Sequence, residues 1–236
     1  MKRLAVLVLL AGVALAVLAP YKGYSGLRAR ANSTRIVYYL EQAVAVVEIG
    51  RKRELFNCEI IEVYEPSEQK ELLMNLTEVG KVYKIGFKSM LDLMNRCDQV
   101  VPLIPPGQSS ALSNRPLADA AGSALSGILP GTKWCGNGDI ASTYFDLGAE
   151  KGDRCCRKHD LCPIKVRASS TRYGIVNKGF SMSHCKCDDE FLKCLKQTNT
   201  TVGNAMGLLY FNVLQSPCLD GSLTKGFQLR HAQSYN

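Results

Sequence analysis

Cys155, His159 and Cys162 fall at i, i+4 and i+7 of one segment, so a helix there presents all three on one face. Cys187 and Cys194 are also seven residues apart. Each pair spans two helical turns, roughly 10 Å of axis. Two antiparallel helices with equal spacings can therefore be stapled twice, as Cys155–Cys194 and Cys162–Cys187. His159 then lies between the staples and faces the second helix. Asp188 follows Cys187, about one turn along the axis from His159, where a carboxylate reaches the imidazole. Spacing alone leaves the pairing open, because eight cysteines can pair in on the order of a hundred ways.

The neighbouring face of the first helix holds Cys156 and Asp160, again four apart. A bridge from Cys156 to Cys135 would hold the loop Trp134-Cys135-Gly136-Asn137-Gly138 against the Asp160 carboxylate. Glycines let a loop turn its carbonyls inward. Inward carbonyls plus one carboxylate make a hard oxygen cage, the donor set that calcium takes in numbers of about six to eight. Cys185–Cys218 is the pairing left over.

Three helices must position these groups. The spacing predicts the first over 153–162, opened by Asp153 as N-cap and ended by Pro163. The second is expected over 183–197 and the third over 201–214. Turn residues around a short β-capable run at 173–179 predict a small hairpin between the first two. Ahead of this region, residues 34–100 read as folded. Residues 58–64 are half alternating, a strand or helix edge. In 68–97, Leu72, Leu76, Val79, Val82 and Tyr83 recur at helical spacing, interrupted by Gly80 and Gly86. Cys58 and Cys97 are expected to pair. Proline, glycine and serine then mark 102–127 as a linker.

The chain has 236 residues with 46% hydrophobic and 21% charged, which excludes a wholly disordered or collagen-like protein. Eight of its ten cysteines lie between Cys135 and Cys218, the density of a disulfide scaffold. Lys2 and Arg3 precede an apolar run over 4–19, too short for a spanning helix of roughly twenty residues and suited to a secretory signal peptide. Secretion permits disulfides. The net charge of +8 is spread along the chain, with Arg51-Lys52-Arg53 the only tight basic run. It weakly favours anionic surfaces such as lipid, and no aromatic-rich basic motif argues for nucleic acid.

Taken together, Trp134-Cys135-Gly136-Asn137-Gly138, Cys155-Cys156-Arg157-Lys158-His159-Asp160-Leu161-Cys162-Pro163, Cys185-Lys186-Cys187-Asp188-Asp189, Cys194-Leu195-Lys196 and Tyr210-Phe211-Asn212 resemble the secreted phospholipase A2 of the bee-venom type, group III. The resemblance covers about residues 128–218. It implies a mainly α, disulfide-rich fold: two antiparallel stapled helices, a third helix, a calcium loop and a small β hairpin. An N-terminal α or α+β segment would precede them. The implied layout is a signal peptide at 1–19, an N-terminal segment of unknown role at 20–101, the linker, a catalytic domain at 128–220 and a tail at 221–236.

The resemblance also implies a calcium-dependent hydrolase of the sn-2 ester of glycerophospholipids, secreted and acting on a phospholipid membrane surface or micelle. His159 would be the general base toward water, Asp188 its orienting acid, and Tyr210 a brace for Asp188. Asp160 and the carbonyls of Trp134, Gly136 and Gly138 would bind Ca2+, which holds the phosphate and stabilises the oxyanion. The bee-venom type carries a fifth bridge in a longer tail, whereas no cysteine follows Cys218 here. Two rival readings are a structural zinc module and a non-catalytic, phospholipase-like binding protein or receptor ligand. The sequons at Asn32, Asn75 and Asn199 are glycosylation acceptors in a secreted chain. His184 and His231 read as surface residues, and Asp189 as a solvated one.

Overall fold

The computed structural model describes residues 24–100 and 127–236. The expected signal peptide, and the linker apart from Gly127, lie outside these residues.

The N-terminal part is built on a four-stranded sheet. Strands β1 (Thr34–Leu40), β2 (Ala43–Ile49) and β3 (Leu55–Glu62) form an antiparallel meander, followed by helix α1 (Pro66–Leu76), strand β4 (Lys81–Lys84) and helix α2 (Phe87–Cys97). The strand order is β3-β2-β1-β4, with β4 parallel to β1. Side chains alternate between two faces. Val37, Val44, Val46, Ile61 and Val63 pack with Leu72 and Leu76 of α1. Leu40, Ala43, Ala45, Val47, Cys58 and Ile60 pack with Met90, Leu93 and Met94 of α2, in a cluster that continues into Trp134, Tyr144 and Phe191. A disulfide joins Cys58 to Cys97 and so ties β3 to α2.

This sheet is docked on the cysteine-rich part by specific contacts. Gln42, at the tip of the β1–β2 hairpin, donates its amide to the Pro163 carbonyl at 3.0 Å and its side-chain amide to the Lys165 carbonyl at 2.7 Å. Arg157 pairs with Asp98 at 2.8 Å and donates to the Tyr144 carbonyl at 2.8 Å. Its guanidinium also lies 4.0 Å from the Tyr144 ring centroid. Charged hydrogen bonds in partly buried ground are the strong kind.

The cysteine-rich part carries helix α3 (Asp153–Asp160), short strands β5 (Lys165–Val166), β6 (Ser170–Arg172), β7 (Ile175–Asn177) and β8 (Met182–Ser183), then helices α4 (Cys185–Thr198) and α5 (Thr201–Gly207). A π-helical turn (Leu208–Leu214) and the hairpin β9 (Pro217–Ser222) and β10 (Gly226–His231) follow. The expected hairpin is β6–β7, turned at Tyr173 and Gly174, both at positive φ. Such a two-residue turn suits the right-handed twist of a hairpin.

The mainly α expectation is corrected: helices and sheets share the described residues, which hold ten strands. The helical pattern over 68–97 breaks into two helices with β4 between them, because Val82 and Tyr83 enter a parallel pairing with Val37 and Tyr38. The tail carries strand β10. Tyr235 beyond it packs on the last helix, its hydroxyl donating to Asn204 at 2.6 Å and its ring stacked on Phe211. A Cβ on Gly207 would lie 2.3 Å from the Tyr235 ring, so glycine is needed for this close approach.

Candidate active site

Helix α3 starts one residue earlier than expected. Gly152 is the N-cap and Asp153 is the first helical residue. The fully buried Asp153 carboxylate instead accepts the main-chain N–H groups of Lys133 at 3.0 Å, Trp134 at 2.8 Å and Gly148 at 2.7 Å. Burial raises its pKa and these donors pull it back down, burial prevailing. Asp153 thus fixes the start of the glycine loop to α3. Leu161 ends the helix, and Pro163 follows.

The two stapled helices are α3 and α4. Cys155–Cys194 and Cys162–Cys187 join them, with Cα separations of 5.7 and 6.1 Å. Cys135–Cys156 ties the glycine loop to α3, and Cys185–Cys218 ties α4 to β9. Between the staples, His159 and Asp188 face each other, with Nε2 2.8 Å from Oδ1. An ionised Asp188 accepts the Nε2 proton, which leaves the Nδ1 lone pair free. Nδ1 is directed toward Asp160, whose Oδ1 is 3.9 Å away.

Tyr210 reaches the same carboxylate from the π-helical turn. Its hydroxyl donates toward both Asp188 oxygens, at 3.3 and 3.4 Å. Burial, then the Asp188 charge, pushes the phenol well above its ordinary pKa, so it stays a donor. Phe191 stacks on the His159 ring at 4.5 Å and Tyr210 meets it edge-on at 5.0 Å. The imidazole is therefore fixed by two aromatic contacts and one hydrogen bond. Burial alone would lower the His159 pKa, but the neighbouring carboxylates of Asp160 and Asp188 outweigh it and lift it to about 9. The two carboxylates thus stabilise the imidazolium that forms when Nδ1 takes a proton, and a cation on Asp160 would offset that residue's share and return the resting ring toward the neutral form.

The glycine loop, tied to α3 through Cys135–Cys156, is held from several sides. Trp134 donates its indole N–H to the Asp146 carbonyl at 2.9 Å. The carbonyls of Lys133 and Cys135 accept from Ile140 and Leu129, both at 2.8 Å. Gly136 bridges to Ile128, and a Cβ there would lie 2.2 Å from the Gly127 carbonyl. Gly138 has φ +86°, a conformation that favours glycine. On α3, Asp160 Oδ2 is buried with no hydrogen-bond partner. Burial raises the Asp160 pKa and prevails over the lowering pull of His159 and Lys165, with a smaller upward push from the nearby Asp139. A buried, unpartnered carboxylate oxygen is what a hard cation satisfies, so the residues present fit one. Among the described residues no group of three or more His, Cys, Asp or Glu side chains is gathered to hold a metal. A cation here would draw on Asp160 with main-chain oxygens.

Sequence reasoning missed several residues of this centre. Phe191 stands three residues after Asp188, a helical spacing that could have drawn attention to it. The anchoring role of Asp153 and the proximity of Asp139 depend on loop geometry and leave no local signal. Lys165, which donates to the Asp160 carbonyl, was hidden for the same reason. His184 is buried rather than on the surface, and it caps α4.

Residues 128–222 match the family model described as phospholipase A2. The group 3 secretory phospholipase A2 of Bos taurus is 47% identical over 92 residues, 38% of this chain and 18% of that protein. The phospholipase A2 of Apis dorsata is 41% identical over 97 residues, 39% of this chain and 70% of that protein. The phospholipase A2 isozymes PA3A/PA3B/PA5 of Heloderma suspectum are 44% identical over 95 residues, 66% of their length. The match thus spans about a fifth of the Bos taurus relative and about two thirds of the Apis dorsata and Heloderma suspectum ones.

Proposed function

The chain belongs to the phospholipase A2 family of the group III, bee-venom type, and from that premise we propose that it is a secreted, calcium-dependent phospholipase A2. It cleaves the sn-2 acyl ester of glycerophospholipids into lysophospholipid and free fatty acid. One observation carries the reading: His159 is bonded to Asp188 through one ring nitrogen while the other points toward Asp160, which has a buried oxygen left unpartnered.

The residues divide the work as follows. Asp188 holds the Nε2 proton and fixes the tautomer. Nδ1 takes a proton from the water that attacks the ester carbonyl. The resulting imidazolium is stabilised by Asp188 and then returns a proton to the departing glycerol oxygen. Tyr210 and Phe191 keep the acid and the ring in register. Asp160 and the carbonyls of Trp134, Gly136 and Gly138 would hold calcium. When bound, Ca2+ supplies positive charge for the substrate phosphate and for the oxyanion.

The partner is a lipid surface. Leu208, Leu209 and Val213, all exposed, project from the π-helical stretch that carries Tyr210, which supports docking on a membrane or micelle. No helix among the described residues is long and apolar enough to cross a membrane. Asn32 and Asn199 are exposed, as glycan acceptors must be, while Asn75 sits half-buried on α1.

The test is fatty-acid release from phosphatidylcholine vesicles by the full chain, with Ca2+ and with a chelator. Release is expected only with calcium, and His159→Gln should lower it by about 10²–10⁴-fold. A folded protein that releases nothing under either condition would support the binding-protein reading instead.

A further inference from the structure

His184 is not among the reacting groups, yet three parts of the chain meet at it. Its ring lies tilted against Phe87, the first residue of α2, with centroids 4.2 Å apart and planes 37° apart, and meets Phe227 of β10 edge-on at 6.0 Å. Its Nδ1 accepts the Lys186 amide N–H at 3.0 Å, which makes it the side-chain cap of α4. Its Nε2–H donates to the Gly221 carbonyl at 3.2 Å. The main chain is engaged too. The His184 amide donates to the Ile164 carbonyl at 2.9 Å, and its carbonyl accepts from Cys187 at 2.7 Å and Asp188 at 3.3 Å. Both ring nitrogens and both peptide groups are therefore committed.

Asp188 lies in the turn that this cap opens. A helix turn is rigid only when its leading N–H groups are satisfied, so the cap sets the height and rotation of the carboxylate offered to His159. The capping nitrogen must be unprotonated to accept. Burial, the largest influence, holds the His184 pKa below its ordinary value, in keeping with that role.

We propose that His184 is a positioning residue for Asp188, and that Phe87 lets the N-terminal sheet and helices act on the reaction through it. The inference rests on the phospholipase reading given above. Phe87 lies outside the residues matched by the family model, so this brace is supplied by the part of the chain that the family match does not cover.

The experiment compares full-length His184→Ala, His184→Asn and Phe87→Leu, in the wild-type background and with Asp188→Asn. Two readouts are used: vesicle kinetics, and hydrogen exchange at the amides of residues 186–188. His184→Ala is expected to lower kcat about tenfold with KM nearly unchanged, as misplacement of a reacting group does. His184→Asn should restore most of it, since an asparagine oxygen also caps. Phe87→Leu should fall between. Protection at 186–188 should drop in the order Ala, Leu, Asn. In the Asp188→Asn background, His184→Ala should lower kcat no further, because both changes act through one carboxylate.

An equal loss in both backgrounds, or unchanged protection in His184→Ala and Phe87→Leu, would overturn the proposal. A wild-type protein without calcium-dependent release would sink the activity reading alone, because the exchange data still decide whether His184 and Phe87 hold the Asp188 turn.

Discussion

The carboxylate of Glu62 lies 2.8 Å from the ammonium of Lys165, joining the last residue of β3 to the first of β5. The same ammonium donates to the main-chain carbonyl of Asp160, at the C-terminal end of α3. A cation placed there satisfies a carbonyl that the helix leaves without a partner and complements the negative end of its dipole. Through one lysine, the N-terminal sheet thus reaches the helix that carries His159 and Asp160.

This pair gives stability a definite pH dependence. Burial would raise the Glu62 pKa, but Lys165 and Arg167 outweigh it and hold it below the usual carboxylate value. A depressed folded-state pKa means stability that is present above the unfolded value and is lost as pH falls through the folded one. Glu62→Gln should therefore cost about 1–3 kcal/mol at pH 7. The cost should shrink as pH falls below about 4.5. Thermal unfolding of both proteins at pH 7 and pH 3.5 checks this, and a difference independent of pH would refute it.

Asp153 is expected to matter for calcium without touching it. Its carboxylate receives three main-chain N–H groups, two of them at the root of the glycine loop. Asp153→Asn replaces an acceptor with a mixed donor and leaves at least one N–H group opposed. The loss should be about 1–3 kcal/mol of stability. Calcium affinity, measured by isothermal titration, should fall as well, while Asp160→Asn should abolish binding with less effect on the melting temperature.

Removing the Tyr210 hydroxyl should be far milder than removing the base. Its bonds to Asp188, at 3.3 and 3.4 Å, are longer than the 2.8 Å contact between His159 and Asp188. Tyr210→Phe keeps the edge-on contact with His159 and loses only these bonds. We expect kcat to fall by about tenfold or less, against the about 10²–10⁴-fold of His159→Gln. Vesicle kinetics at saturating calcium give the comparison.

The centre was legible where its chemistry is written in spacing. Two cysteine pairs with equal separation pointed to α3 stapled on α4, and that geometry brings His159 to Asp188. The sheet was harder to read. In β2, Ala43 to Glu48 are all buried, because α1 covers one face and α2 the other. A strand buried on both sides loses the alternation that reveals half-buried ones. Val82 and Tyr83 fit a helical period by coincidence, and pairing with β1 overrode it. His184 looked like a surface residue because the aromatic rings that bury it, Phe87 and Phe227, are distant in sequence.

The five cross-links are partitioned. Cys58–Cys97 closes within the N-terminal part, the other four close between Cys135 and Cys218, and none runs from one part to the other. Beyond the backbone through 101–126, only apolar packing, ion pairs and hydrogen bonds hold the halves together. A single nick in that segment would yield a two-chain protein that migrates as one species in native buffer. Urea without any thiol would separate it into two pieces, each keeping its own bridges.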